Sequence, residues 1–264
     1  MADISKWNSM SRSLLLPLYF RAVETDKSNP IISDKKAKEV IGLLDYDFSK
    51  ISDFDILHTA TMMREAAFDE VIKKFLSDNT SAVVINIGSG LDTRFFRLDN
   101  GEIDWYELDL PEVIETRKEI FQESERHHFI ASSAFDLSWT DKIKKNRPLL
   151  LIAEGVLCYF QKSDVQKFIL KLKDKFKGAC FCFDAVSNTQ VWMSRFNPAL
   201  AMMDLWFKWG LNFVNELDHW DNNIETKDVI YYFKPSIERL GWYTWYSVSP
   251  AVKFGFYIIS CIFK

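Results

Sequence analysis

Residues 83–99, VVINIGSGLDTRFFRLD, drive an apolar run into Gly88-Ser89-Gly90 and then set an acid, Asp92, where a helix should begin. A strand feeding a glycine turn opens many nucleotide-binding folds, whose ligands lie beyond the carboxyl ends of the strands. Acids recur where later strands should end: Asp109 in WYELDL, Asp136 shortly after Ser132 and Ser133, and Glu154 before Gly155 in LLLIAEG. Asp109 follows Gly88 by 21 residues, the spacing at which a carboxylate accepts hydrogen bonds from ribose hydroxyls.

That spacing suits NAD, FAD and S-adenosylmethionine equally, and two features separate them. A dinucleotide needs the helix N-terminus for its pyrophosphate and a third glycine for close helix–strand packing. Here Thr93 occupies the third position, and Asp92 would repel a pyrophosphate. S-adenosylmethionine carries a sulfonium, an ammonium and one carboxylate, so acids attract most of its polar end. The plain alternative for Asp92 is an ordinary helix N-cap.

These residues need a scaffold, and the composition allows one. The chain has 264 residues, 48% of them apolar, enough for one large domain or a domain with a lid. Lys and Arg number 33 against 37 Asp and Glu, a net charge of −4 without a long basic run, which argues against a nucleic-acid partner. No window approaches the roughly 18 uncharged apolar residues of a membrane span, and the first residues show no signal-like cleavage region. Cys158, Cys180, Cys182 and Cys261 fit neither a zinc site nor a disulfide framework, so a reduced cytoplasm is expected.

The first 80 residues read as a helical cap. Its clearest helix runs from an N-cap at Asp53 to Leu76, with Ile56, Ala60, Met63, Ala67, Val71 and Phe75 along one face. Over 81–185 the period changes to buried strands, AVVINI, IDWYELDL, HHFIAS, PLLLIAEG and ACFCFDAV. Helices fit between them, one opening at Pro111 and one with a capping box of Ser163 and Gln166. This alternation predicts a doubly wound, Rossmann-like α/β sheet. Residues 186–235 read as an aromatic-rich helical insertion, a candidate substrate lid, and 236–264 as two terminal strands, GWYTWYSVSP and FGFYIISCIF. Six of nine tryptophans lie beyond residue 186, where they fill a core or interface or line a pocket for an apolar acceptor.

Together VVINIGSGLDTRF, WYELDLPEVIETRK and LLLIAEGVLCYF resemble the leucine carboxyl methyltransferase family of class I methyltransferases, especially its shorter bacterial polyketide O-methyltransferases. The resemblance implies a seven-stranded, mostly parallel sheet, S-adenosylmethionine as cofactor and S-adenosylhomocysteine as product, and no metal. It implies Gly88 against the methionine part, Asp109 as the ribose ligand and Glu154 beside the methionine moiety, with Ser89, Gly90, Asp92, Leu110 and Gly155 also expected among the cofactor-binding residues. Ser133, Ala134 and Asp136 would contact adenine. Arg64, on the helix before the first strand, would clamp the cofactor carboxylate, since a bidentate guanidinium pair is the strong form of that contact. Arg21 is the candidate second cation.

Methyl transfer from a sulfonium is an in-line displacement, in which orientation contributes roughly 7–11 kcal/mol. A carboxylate acceptor needs only positioning, whereas a phenol benefits from a general base. His58, His127, His128 and His219 read as structural, and Tyr159 as a substrate contact rather than a base. The expected activity is O-methylation of a small-molecule carboxylate or hydroxyl. Methylation of a protein C-terminal carboxylate and a cofactor-binding scaffold without turnover are the alternatives. The oligomeric state is left open, a homodimer included.

Overall fold

The computed structural model describes residues 4, 7, 9–51, 55–197, 200–201, 204–234, 237–241, 244–247 and 249–264. Seven strands form one sheet in the order β3-β2-β1-β4-β5-β7-β6. They are β1 (Val83–Ile87), β2 (Asp104–Asp109), β3 (His127–Ala131), β4 (Leu149–Ala153), β5 (Cys180–Val186), β6 (Ile224–Tyr231) and β7 (Phe256–Phe263). The first five are parallel and β7 runs antiparallel between β5 and β6. The order reverses between β1 and β4, the switch point where such sheets open a crevice for ligand.

Helices α1 (Ser9–Arg12), α2 (Leu15–Glu24), α3 (Lys35–Ile41) and α4 (Asp55–Asp78) precede the sheet, and α5 (Arg94–Leu98), α6 (Pro111–Ile120) and α7 (Lys162–Lys175) follow β1, β2 and β4. The parallel strands are apolar on both faces because both are covered. Val83, Ile85 and Ile87 alternate into a core with Phe168, Ile169 and Leu172 of α7. Val84, Leu150, Ile152 and Cys182 alternate into the opposite core with Phe68 and Ile72 of α4. Among the described residues no helix is long and apolar enough to cross a membrane.

Four expectations need correction. Residues 224–231, read within a helical insertion, are edge strand β6, whose face is only partly buried and whose polar residues hide the strand signal. Within GWYTWYSVSP, Thr244–Ser247 is helical, and Pro250 opens a second turn, Pro250–Lys253, as a proline at a first helical position does. The sheet's last antiparallel pair is therefore β6 with β7. No capping box forms at Ser163, since α7 starts two residues earlier than that cap requires, with Gln161 at its N-cap. The fully buried face of α4 is not the apolar stripe but one step round, with His58, Glu65 and Asp69 among its members. The N-cap expected at Asp53 lies outside the described residues.

Candidate active site

Strand periodicity assembles the site. Side chains alternate faces, so Asn86, Glu154 and Asp184, each two residues beyond a core apolar residue of β1, β4 or β5, fall on the face covered by α4. From α4, Arg64 and Glu65 meet them. Arg64 Nε donates to Glu154 Oε1 at 2.8 Å, and its Nη1 lies 3.4 Å from Asp184 Oδ2. Glu154 Oε2 accepts from Arg94 Nη2 at 2.7 Å.

Arg94, which the sequence reading did not single out, is the hub. Its side chain is 1% exposed and reaches Asp69 at 2.6 Å, Asp92 at 2.6 Å and Glu65 at 2.8 Å besides Glu154. A cation this deeply buried persists because carboxylates surround it. Asp92 is correspondingly not a free anion at the cavity mouth. Burial works to raise its pKa, but Arg94, Arg21 and Arg97 overcome that and hold the carboxyl well below the usual range. It also accepts from the Arg94 backbone N–H at 2.9 Å and from Asn86, so it serves the start of α5 although Thr93 is the N-cap residue. The charge argument thus moves from Asp92 to the cluster. Asp34, Glu65, Asp69, Asp92, Glu154 and Asp184 outnumber Arg21, Arg64, Arg94 and Arg97, which leaves a surplus of negative charge. Burial, with Glu65 nearby, pushes Glu154 up to about 7 against the pull of Arg94 and Arg64.

Two cavities meet at Gly88. The smaller, about 50 Å³, is lined by Arg21, Arg64, Glu65, Ser89, Asp92, Arg94 and Glu154 among others. The larger, about 240 Å³, runs over Leu108, Asp109, Leu110, Ser133, Ala134, Phe135, Gly155 and Tyr159. Gly88 has φ +69, and a Cβ there would collide with Val156, so only glycine permits the turn between the cavities. Asp109 accepts the backbone N–H groups of Gly90 and Leu110, both at 2.7 Å. Burial outweighs those bonds and pushes its carboxyl up to about 6.

Placement of the remaining candidates is mixed. Arg21 lines the smaller cavity, but its guanidinium is spent on Glu65 at 2.5 Å, Asp34 at 3.2 Å and the Leu91 carbonyl at 2.9 Å. Asp136 departs from expectation: it is exposed and caps its own short helical turn through Ser138 N–H, while Phe135 takes the place on the cavity wall. His58 faces Glu24 and stacks on Phe20, His127 faces Glu107, His128 stacks on Tyr106 and His219 faces the Asn215 carbonyl. Alternation along strands β1, β4 and β5 was the signal that could have found Asn86 and Asp184.

A third cavity, about 640 Å³, opens beside these two. Ile56, Leu57 and Ala60 of α4 form one wall, with Phe233, Val252 and Phe256, and Trp192, Met193, Phe196, Leu200 and Phe207 complete it. Ala60 stands one turn before Arg64, and the rings of Phe207 and Tyr159 are 5.7 Å apart, so this cavity adjoins the two that meet at Gly88. Of the late tryptophans, Trp209 is core, Trp220 packs against it, Trp192 lines this cavity, Trp206 and Trp245 are exposed, and Trp242 lies outside the described residues.

The residues fit S-adenosylmethionine. The apolar 240 Å³ cavity suits adenosine with Asp109 at its edge, and the acid-rich cleft suits an ammonium and a sulfonium. Buried in that cleft, the Ser89 hydroxyl has no hydrogen-bond partner among the described residues, an orphan that a polar ligand would satisfy. A seven-stranded sheet of this order, with its crevice furnished for a sulfonium rather than a pyrophosphate, defines an S-adenosylmethionine-dependent methyltransferase of class I. The sequence pattern of leucine carboxyl methyltransferases matches residues 15–172, and the chain belongs to that family. It is 28% identical over 212 residues to the tetracenomycin polyketide synthesis O-methyltransferase TcmP of Streptomyces glaucescens, covering 80% of this chain and 78% of that one. It is 24% identical to the S-adenosyl-L-methionine-dependent methyltransferase dpfgK of Gibberella zeae, over 88% and 85% of the two chains. Among solved structures, a DUF574 family protein of Streptomyces avermitilis shares the fold with a TM-score of 0.64 at 11% identity, over 96% of this chain and 97% of that one. Magnesium protoporphyrin IX methyltransferase of Synechocystis, solved with bound S-adenosylmethionine, does so with a TM-score of 0.53 at 10% identity, over 96% and 97%.

Proposed function

We propose that the protein transfers a methyl group to an oxygen of a small, largely apolar acceptor, and to a carboxylate in preference to an unactivated hydroxyl. The observation that carries this is the 640 Å³ cavity, lined among the described residues by no ionisable side chain. Its size is that of a pocket for a drug-sized ligand, and its aromatic walls suit a planar, apolar body. TcmP, named for tetracenomycin polyketide synthesis, lends weight to a polyketide-like acceptor.

The cofactor supplies an electrophilic methyl group. The chain's part is to hold it and to orient the acceptor: Asp109 at the ribose, Leu110, Ser133, Ala134 and Phe135 around adenine, and Glu154, Ser89 and Arg64 at the methionine end. The phenols and the thiol nearest the acceptor cavity are not suited to take an acceptor proton at neutral pH. Burial pushes the phenols of Tyr159 and Tyr232 and the thiol of Cys158 well above their ordinary values. Glu154, Asp184 and Arg64 are already paired. An acceptor that arrives ionised needs none of them. A cytoplasmic enzyme without a nucleic-acid partner completes the reading.

The test is methyl transfer to matched aromatic acceptors, one series bearing carboxylates and one bearing phenols or alcohols, beside a peptide with a free C-terminal carboxylate. We expect turnover of apolar aromatic carboxylates, with phenols slower by about 10²-fold where no base assists. Turnover of the peptide alone would replace the small-molecule reading. Phenol turnover equal to that of carboxylates would overturn the preference.

A further inference from the structure

We propose that Asp184 is a positioning residue for the cofactor's carboxylate end: it fixes Arg64 across the loop after β4 and thereby sets how tightly the methionine half is held. The inference rests on the reading of this cleft as the S-adenosylmethionine site. Asp184 lies beyond the segment that matches the family pattern, on β5, and neither the glycine loop nor the two acidic motifs include it.

Asp184 does two things at once. Its Oδ1 accepts the Gly155 backbone N–H at 2.7 Å, tying down the residue after Glu154. Its Oδ2 faces Arg64 Nη1 at 3.4 Å, and Arg64 is its one ion-pair partner among the described residues. Glu154, from the neighbouring strand, takes Arg64 Nε at 2.8 Å. The guanidinium is thus held at two of its three nitrogens by acids from adjacent strands. The third, Nη2, makes no hydrogen bond among the described residues and lies over Gly155, 3.3 Å from where a Cβ would stand. Arg64 remains 22% exposed, whereas Glu154 and Asp184 are 9% and 4% exposed, so Arg64 is the member of the trio that a ligand entering the cleft can reach.

An arginine has several rotatable bonds, and a guanidinium fixed before the ligand arrives loses less freedom when it binds. With Glu154 alone, Arg64 is anchored only at Nε and its far end is free to swing. Asp184 supplies the second anchor and, through Gly155, keeps the loop in register with it. The expected consequence is selective, falling on ligands that carry the amino-acid end and sparing those that carry only adenosine.

The experiment is calorimetric binding of S-adenosylhomocysteine and of 5′-methylthioadenosine, which lacks the amino-acid end, to the wild type and to Asp184→Asn. Asparagine still accepts from Gly155 but has no charge for Arg64. We expect S-adenosylhomocysteine to bind about tenfold more weakly and 5′-methylthioadenosine to change by less than about twofold. Unchanged affinity for both would overturn the proposal. So would an equal loss for both, the mark of a collapsed loop rather than a released Arg64. Should Asp184→Asn not accumulate as folded protein, Asp184→Ser is read the same way, since serine likewise keeps an oxygen acceptor but has no charge for Arg64. Selective loss supports the proposal, and parallel loss or none overturns it. A wild type that binds neither ligand would instead overturn the cofactor reading, and this inference with it.

Discussion

On one side of Arg64 the molecule is a knot of buried charge; on the other it is an apolar room. The first is built from six carboxylates and four guanidiniums, nearly all with named partners at hydrogen-bond distance. The second has aromatic and aliphatic walls, and its polar members are bonded within the protein: Gln190 donates to the Ala251 carbonyl, Ser194 to that of Val191, and Asn197 accepts from the Leu200 N–H. The contrast follows from what each side must recognise. A zwitterion with a sulfonium is read by fixed charges at fixed distances, and such charges must be mutually satisfied when the ligand is absent. An apolar body is read by shape and area, which tolerate substitution.

The charged side should therefore fail hardest. Arg94→Leu leaves Glu65, Asp69, Asp92 and Glu154 facing one another without their shared cation. Stranding buried charges costs about 3–5 kcal/mol, a large share of a total stability of about 5–15 kcal/mol. We expect the melting temperature to fall by about 10 °C in a thermal unfolding scan. A fall of less than about 3 °C would mean that the cluster is not structurally dominant. Phe207→Ala tests the apolar side. Its ring is only half-buried, so stability and S-adenosylhomocysteine binding should hold, while the acceptor KM rises about tenfold for loss of one aromatic contact. Equal damage to cofactor binding would erase the division between the two sides.

The sequence made these halves unequally legible. The parallel strands were plain because burial on both faces produces unbroken apolar runs, and Pro111 marked the start of α6. Gly88, Asp109 and Glu154 were legible because they stand at strand ends with the spacing of a known motif. The buried charge was not, since the periodicity of α4 was read from apolar residues and the face it buries deepest carries Glu65 and Asp69. Their burial depends on Arg94 and Arg97, more than twenty residues away in the chain, and no local pattern encodes that pairing. Edge strand β6 was missed for a related reason: half of it faces solvent, and its charged residues mask a strand defined by its bonds to β7.

The smallest expected effect is also the sharpest probe of the charged side. Glu154 faces Glu65 and Asp92 as well as Arg94 and Arg64, and its carboxyl is raised to about 7; Asp109 is raised to about 6. Both folded-state values exceed those of the unfolded chain, so between about pH 4 and 7 these two groups bind more protons in the native state and their own contribution to stability falls as pH rises, while Asp92, held low, contributes in the opposite sense. An ammonium beside Glu154 favours its ionised form and should drive that proton off. At pH 7 the free protein holds about half a proton there, so S-adenosylhomocysteine binding should release up to about half a proton. The release is measured from binding enthalpies in buffers of different ionisation enthalpy. It should shrink towards zero well above pH 8, and 5′-methylthioadenosine, which carries no ammonium, should release far less. Proton uptake, or equal release with both ligands, would show that Glu154 does not meet the amino-acid end. The surplus negative charge of the cluster would then serve the fold rather than the cofactor.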